Sequence, residues 1–235
     1  MTDEDDSISI TDQAVLKLRE LLTSDQVRPG DRLGEVAVAK RLGISRTPVR
    51  AALQRLEQEQ LVARHPNGGY TVAGLSMRDV REACDLLRIV DAELFIRAAE
   101  ALDEAAASEL RDCTARMKTA AAAGDIETWS HADTRFHEIL GGAADHRLFI
   151  ALAIQQRRRL HRFWRAAALR FDRLANCATE HEQIANSVSA SDEEEIRRLV
   201  NEHIDHMEAS LLRTLEMVRP FVPTAQMEPD ERTGR

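Results

Sequence analysis

The sequence is poor in aromatic residues, cysteines and long apolar runs. Only 4% of its 235 residues are aromatic, which disfavours β-sandwiches and β-barrels because their cores rely on aromatic and β-branched side chains. The three cysteines, Cys84, Cys113 and Cys177, lie far apart without a CxxC pair. We therefore expect no disulfide framework and a cytoplasmic location. No apolar run approaches the roughly 18–20 residues that span a bilayer, so we expect no membrane partner.

Helix-forming residues are abundant, and the charge divides the chain in two. Ala, Leu, Glu and Arg dominate, and the length predicts two domains. Residues 1–10 carry four acids and no base, residues 11–73 carry ten Lys or Arg against seven Asp or Glu, and residues 74–235 carry 22 bases against 29 acids. A basic N-terminal unit on a larger acidic body predicts an anionic partner for the first unit.

Residues 11–73 have the pattern of three helices followed by a β-hairpin. The second helix, about 35–42, ends at Gly43, and the third begins at Ser45 with Pro48 in its first turn. Two short extended segments, 61–65 and 70–73, flank a Pro-Asn-Gly-Gly turn. This order predicts a winged helix-turn-helix, in which the start of the third helix enters the major groove of DNA.

From Ser76 onward the sequence predicts only amphipathic helices. Ser76 and Asp79 form a capping box, and Gly141-Gly142 is expected to end the third helix of this region. The fold class is therefore mainly α, an N-terminal winged helix-turn-helix followed by an all-α antiparallel bundle of about six helices. The predicted divisions are an acidic disordered tail over 1–10, the DNA-binding domain over 11–73, a linker over 74–78, the bundle over 79–219 and a flexible tail over 220–235.

Three segments of the N-terminal unit carry a specific motif: PGDRLGE at 29–35, LGISRTPVR at 42–50 and LQRL at 53–56. They resemble the GntR family of bacterial transcription regulators. The resemblance implies a regulator that binds a palindromic double-stranded DNA operator as a homodimer. Arginine forks onto guanine, and hydroxyl groups suit phosphates. The candidate DNA contacts are Arg32, Lys40, Ser45, Arg46, Thr47, Arg50, Asn67 and Gly68.

Asp133 and His137 lie four residues apart, on one face of a helix, where both can bind one ion. The segments DTRFH at 133–137 and EHEQI at 180–184, with His203, resemble the FCD effector-binding domain of the FadR-like branch of the family. The resemblance implies that Asp133, His137, His181 and His203 bind a divalent metal. An Asp with three His suits Zn best, with Ni or Mn as alternatives. Six helices in the bundle resemble the VanR-like subgroup.

The same resemblance implies a small organic acid as effector. An ungapped comparison puts Leu87 where the family usually has an Arg, with Arg88 one place later, and Arg158 belongs to a basic cluster on the fourth bundle helix. Arg88 and Arg158 are therefore the candidate effector-binding residues. His131, His146 and His161 are expected to be ordinary surface or core histidines.

Two other interpretations stay open at this point. The metal of such a regulator would be purely structural, or would itself be the signal. Alternatively the bundle is a metalloenzyme, since Asp/His sites can activate water. The enzyme interpretation is weaker, because the sequence shows no convincing general base beside the ligands. A DNA-binding domain would also be unusual in a metalloenzyme of this kind.

Overall fold

The structure is a computed structural model that describes residues 9–23, 26–170 and 173–218. These residues form two compact units that meet in sequence between Leu75 and Ser76. The predicted acidic tail, apart from its last two residues, and the predicted flexible tail lie outside the described residues. Among the described helices, none combines the length and apolar composition needed to cross a bilayer.

The first unit contains three helices and a three-stranded antiparallel sheet. The sheet order is β1-β3-β2, and β3 is its central strand. Arg32 of β1 pairs with Thr71, and Val62 of β2 pairs with Val72. The two-residue strand β1 was not predicted. The elements are α1 Ile10–Thr23, β1 Arg32–Leu33, α2 Glu35–Leu42, α3 Arg46–Gln58, β2 Val62–Arg64 and β3 Tyr70–Val72.

Helix α3 is held by its apolar face and by the residues at its start. Val49, Leu53 and Leu56 of this face are fully buried in the core of the unit. Gly43, in the left-handed conformation at φ 69°, ends α2, and Ser45 occupies the N-cap position of α3. The opposite face of α3, which carries the predicted DNA contacts, is thereby turned to solvent.

The second unit contains six helices in its described part, as the sequence predicts. The capping box at its start is confirmed: the Asp79 backbone N–H donates to Ser76 Oγ at 3.1 Å, and the Ser76 N–H donates to Asp79 Oδ2 at 2.9 Å. The first helix consequently begins at Met77, inside the predicted linker. The helices are α4 Met77–Ala101, α5 Glu104–Ala123, α6 Ile126–Ala144, α7 Arg147–Arg170, α8 Arg173–Ser189 and α9 Glu193–Val218.

One predicted helix end in the bundle was wrong. Helix α6 continues through Gly141 and Gly142 and ends at Ala144, with Asp145 as its C-cap residue at φ 44°. Gly141 is buried, and a Cβ atom there would lie 3.5 Å from the Ile150 side chain, which is ordinary van der Waals contact. The helix therefore accommodates both glycines without ending.

Candidate DNA-binding surface and metal centre

The start of α3 presents polar and charged side chains to solvent. Ser45, Arg46, Thr47 and Arg50 are all exposed, and the side chains of Arg46 and Arg50 are 61% and 56% accessible. Lys40, in the last turn of α2, is also exposed. The structure therefore brings these five predicted DNA contacts to the surface formed by α2 and α3.

Glu35, in the first turn of α2, holds the two arginines of α3 in the free protein. Arg50 donates from Nε and Nη2 to the two carboxylate oxygens of Glu35, at 2.9 Å each, and Arg46 Nη2 lies 3.4 Å from the same carboxylate. The hydrogen bonds from Arg50 keep the pKa of Glu35 below its usual value. Sequence analysis missed this residue, although it lies inside the PGDRLGE motif.

The wing brings Arg32 to its tip. Arg32 Nη2 donates to the backbone carbonyl of Gly68 at 3.1 Å and lies 3.5 Å from that of Asn67. Gly68 and Gly69 adopt φ of 82° and 77°, and a Cβ atom on Gly69 would meet the Leu33 carbonyl oxygen at 3.3 Å. The tight turn thus requires glycine, and the three predicted wing contacts form one small exposed group.

In the second unit, Asp133, His137 and His181 converge in the interior of the bundle. Asp133 and His137 lie one turn apart on α6, and α8 supplies His181. Nε2 of His181 is 3.0 Å from Asp133 Oδ1 and 3.5 Å from His137 Nε2, and His137 Nε2 is 3.7 Å from the same Asp133 oxygen. Atoms that bind one ion at about 2.0–2.2 Å lie roughly 3–3.6 Å apart. Two of the three distances fall in this range and the third lies just above it, so the three residues could hold a metal ion.

The hydrogen bond of His181 Nδ1 directs the other ring nitrogen, Nε2, at the Asp133 carboxylate. Its Nδ1 donates to the backbone carbonyl oxygen of Cys177, 2.8 Å away, which can only accept. In the neutral ring Nε2 then faces Asp133 Oδ1 with its lone pair, whereas in the doubly protonated ring it donates a hydrogen bond to that oxygen. A proton or a cation between the two atoms would hold them 3.0 Å apart.

His203 is aligned by the acid that precedes His181 in the sequence. His203 Nδ1 donates to Glu180 Oε2 at 2.8 Å, which leaves its Nε2 free as a ligand. Its ring lies edge-on to that of His181, with centroids 4.6 Å apart. Arg173 and His206 donate to the other Glu180 oxygen, at 2.7 and 2.9 Å. His206, one turn beyond His203, is therefore a partner of Glu180.

The protonation states of the cluster suit cation binding. Burial by itself raises the pKa of Asp133, but the hydrogen bond with His181 and the neighbouring charges outweigh it and hold that pKa below its usual value. Burial lowers the pKa of His137 and of His203. The pKa of Glu180 falls to about 2, because His203 and Arg173 outweigh its burial. A charged carboxylate and neutral imidazoles are the forms that bind metals.

Cys177 is a further potential ligand that sequence analysis missed. It lies one turn before His181 on α8, and its Sγ atom is 3.7 Å from His181 Nδ1. Cys177, His181 and His203 form a second group of donor atoms, all within 4.8 Å of one another. Burial raises the pKa of the Cys177 thiol. The spacing of four from Cys177 to His181 was a helical signal of the same kind as that from Asp133 to His137.

The structure does not bring the two candidate effector residues to this cluster. Arg88 donates to Asp85 and Asp205, at 2.9 and 2.7 Å, and also to Glu208. Three carboxylates surround its charge, which disfavours a role in holding an anion. Arg158 is exposed on α7. A helical residue one place out of register points about 100° away, which accounts for the direction of both side chains.

Other residues of α4 and α7 face the cluster instead. Arg157, next to Arg158, donates to the buried Asp91 of α4. His161, one turn further along α7, is half-buried and lies within the electrostatic reach of Asp133. The spacing of four between Arg157 and His161 was the available signal for a shared inward face.

Comparison with known proteins assigns each unit to a family. The model of the FCD domain matches residues 82–206, and that of the gntR family of bacterial regulatory proteins matches residues 10–72. The chain belongs to the GntR family. It is a bacterial DNA-binding transcriptional regulator with an FCD domain, and not an enzyme.

Relatives of this GntR regulator are themselves described as transcriptional regulators. An HTH-type regulator of Agrobacterium vitis, from the TAR-I ttuE-ttuC' intergenic region, is 33% identical over 54% of this chain and 76% of its own length. The regulator YdhC of Bacillus subtilis is 26% identical over 85% of this chain and 90% of its own. The gluconate operon transcriptional repressor of the same organism is 29% identical over 55% of this chain and 53% of its own length.

Two solved structures share the fold of the regulator. Escherichia coli McbR/YncC gives a TM-score of 0.78 at 22% identity, over 88% of this chain and 99% of that one. A putative GntR regulator from Rhodococcus sp. RHA1 gives 0.71 at 24% identity, with the same coverage. The expected winged helix-turn-helix followed by a helical bundle is thereby confirmed.

Proposed function

We propose that this regulator binds a palindromic operator as a homodimer, and that a small carboxylate bound at a metal centre in its helical unit modulates that binding. We place it in the cytoplasm, where its DNA is, and in the VanR-like subgroup, on the basis of the six described bundle helices. A palindrome requires two reading helices about one turn of DNA apart, which one chain does not supply.

The exposed start of α3 supports the DNA half of the proposal. Arg46 and Arg50 fork onto guanine in the major groove, and Arg50 must exchange its hydrogen bonds with Glu35 for those with the base. Ser45, Thr47 and Lys40 contact phosphates. The wing tip, with Arg32, Asn67 and Gly68, approaches the minor groove.

The proposed metal centre is supported chiefly by the distance of 3.0 Å between His181 Nε2 and Asp133 Oδ1. Asp133, His137, His181 and His203 would hold the ion, and Zn suits this donor set best, with Ni or Mn as alternatives. When bound, the ion supplies a positive charge that can accept a carboxylate oxygen. The residues of this chain orient the ligands, chiefly through Glu180 and the Cys177 carbonyl.

Cys177 favours one alternative. If its thiolate joined the ligands, the coordination sphere would close, and the metal would be structural or would itself be the signal, without an organic effector.

The test separates these functions on one preparation. The protein is purified without chelator or metal-binding tag, and its metal content is measured by mass spectrometry. Analytical sedimentation gives its oligomeric state. Selection from a random duplex library identifies the DNA sequence that it prefers. We expect about one divalent ion per chain, a dimer, and an enriched inverted repeat. Metal-free protein that takes up none on dialysis would refute the metal centre, and a monomer selecting no sequence would refute the DNA half. A Cys177→Ser variant that loses the metal would favour the closed site.

A further inference from the structure

The start of α2 contacts both parts of the predicted DNA-binding surface. Glu35, in its first turn, accepts two hydrogen bonds of 2.9 Å from Arg50 of α3. On the wing, a Cβ atom on Gly69 would lie 3.3 Å from the Leu33 carbonyl oxygen and 3.8 Å from Cα of Gly34, the N-cap residue of α2. The first turn of α2 therefore adjoins the helix predicted to enter the major groove and also the wing.

Val36, the second residue of α2, is an exposed apolar side chain at this position. It is 62% exposed. The other large apolar residues exposed in the described part of the first unit, Ile10 and Leu16, lie on α1. Lys40, four residues further along α2, is exposed on the same face as Val36. An exposed apolar side chain is not unusual in itself, but this one lies among side chains predicted to contact bases and phosphates.

The valine side chain can recognise only one feature of the base edges. It has no hydrogen-bond donor or acceptor, so it cannot distinguish the polar groups of the major groove. The apolar group that a base presents there is the C5-methyl group of thymine. Burial of one methyl group against an apolar side chain changes an equilibrium constant by about fourfold. An exposed valine on this surface therefore favours thymine over the other bases.

We propose that Val36 contacts a thymine methyl group of the operator, close to the guanines that Arg46 and Arg50 bind. Val36 is thereby a specificity-determining residue, and its contribution requires no hydrogen bond. This inference rests on the proposed function, because it takes the start of α3 to lie in the major groove. It narrows the operator to half-sites in which a T·A pair lies within reach of the start of α2.

Replacement of thymine by deoxyuridine removes only the methyl group and tests this contact directly. Full-length protein is titrated by fluorescence anisotropy with the duplex selected from the random library, and with duplexes in which deoxyuridine replaces the same thymine in both half-sites. We expect one such replacement to weaken binding roughly tenfold to twentyfold, about fourfold for each half-site. Val36→Ala should weaken binding to the thymine duplex and should no longer respond to that replacement.

Leu16→Ala supplies the matched control, because it shortens an exposed apolar side chain on α1. It should bind and respond as the unchanged protein does. Since Val36 is exposed, the melting temperature of Val36→Ala should stay the same.

Three results would overturn the methyl contact. They are equal responses of Val36→Ala and the unchanged protein to every replacement, no response in either protein, and an equal loss of affinity for the selected and a scrambled duplex in Val36→Ala. If Arg46→Ala and Arg50→Ala keep full operator affinity, the reading surface of the proposed function fails together with this inference. If those variants lose affinity, a negative result concerns Val36 alone.

Discussion

The predicted DNA contacts of the first unit are exposed to solvent, whereas the predicted metal ligands of the helical unit are enclosed by its helices. Arg46 and Arg50 share a single carboxylate, Glu35, at the surface, where ion pairs are weak and easily exchanged. Asp133 and His181 meet in the interior, where charges interact strongly and an unpaired charge is costly. Surface substitutions should therefore change binding alone, and interior substitutions should change binding and stability together.

The largest effect is expected from the metal ligands. His137→Ala or His203→Ala should abolish stoichiometric metal and lower the free energy of unfolding. An ion that binds only the folded state contributes about 2.7 kcal/mol at a hundred times its Kd and about 4 kcal/mol at a thousand times. Metal analysis and thermal unfolding, with and without added metal, measure both quantities.

Exposed His131 on α6 supplies the control for these variants. His131→Ala should keep the metal and the melting temperature. Loss of stability in His203→Ala that is equally large in metal-free protein would show that His203 acts through packing alone.

Arg46→Ala or Arg50→Ala should weaken specific operator binding roughly tenfold to a hundredfold, because each removes a guanidinium that forks onto a base. Both side chains are exposed, so the melting temperature should stay the same. Fluorescence anisotropy with the selected duplex and a scrambled duplex measures the change. Operator binding equal to that of the unchanged protein would remove the start of α3 from the reading surface.

Glu180→Gln tests the layer around the metal ligands. The amide cannot match the charge that orients His203, so metal affinity should fall about tenfold to a hundredfold. Competition with a chromophoric chelator measures it. Glu182→Gln is the matched control, because Glu182 pairs with Lys118 at 2.5 Å. Equal losses in both variants would count against a specific role for Glu180.

Lys40→Ala should have the smallest effect on DNA affinity, and this effect should depend least on the DNA sequence. Loss of one phosphate contact reduces the slope of log affinity against log salt by about 0.9. The slope should fall alike for the operator and the scrambled duplex. A loss confined to the operator would make Lys40 a base-reading residue.

The DNA-binding unit was predictable because its residues act locally. The second helix, the turn at Gly43 and the start of α3 follow one another in sequence, so the motif specifies both their structure and their exposure. Strand β1 was not predictable, since its two residues, Arg32 and Leu33, form a strand only through pairing with β3.

The metal cluster was predictable in part, and its surroundings were not. Asp133 and His137 share a face by helical spacing, but the approach of His181 depends on how α6 and α8 pack. Gly141 looked like a helix end because the sequence alone does not distinguish a glycine that ends a helix from one inside it. The inward direction of Arg157 rather than Arg158 depends on the rotation of α7 about its axis, which a run of successive arginines does not specify.

The burial of Cys177 makes its alkylation rate a measure of how often the bundle opens. A thiol reacts only as a thiolate that a reagent can reach, and this one is buried beside His181 with a raised pKa. It is alkylated only during the moments when α8 separates from its neighbours. The alkylation rate of Cys177 is therefore proportional to the fraction of molecules in which the bundle is open. A ligand that binds only the closed bundle should lower this rate by the same factor by which it lowers the open fraction.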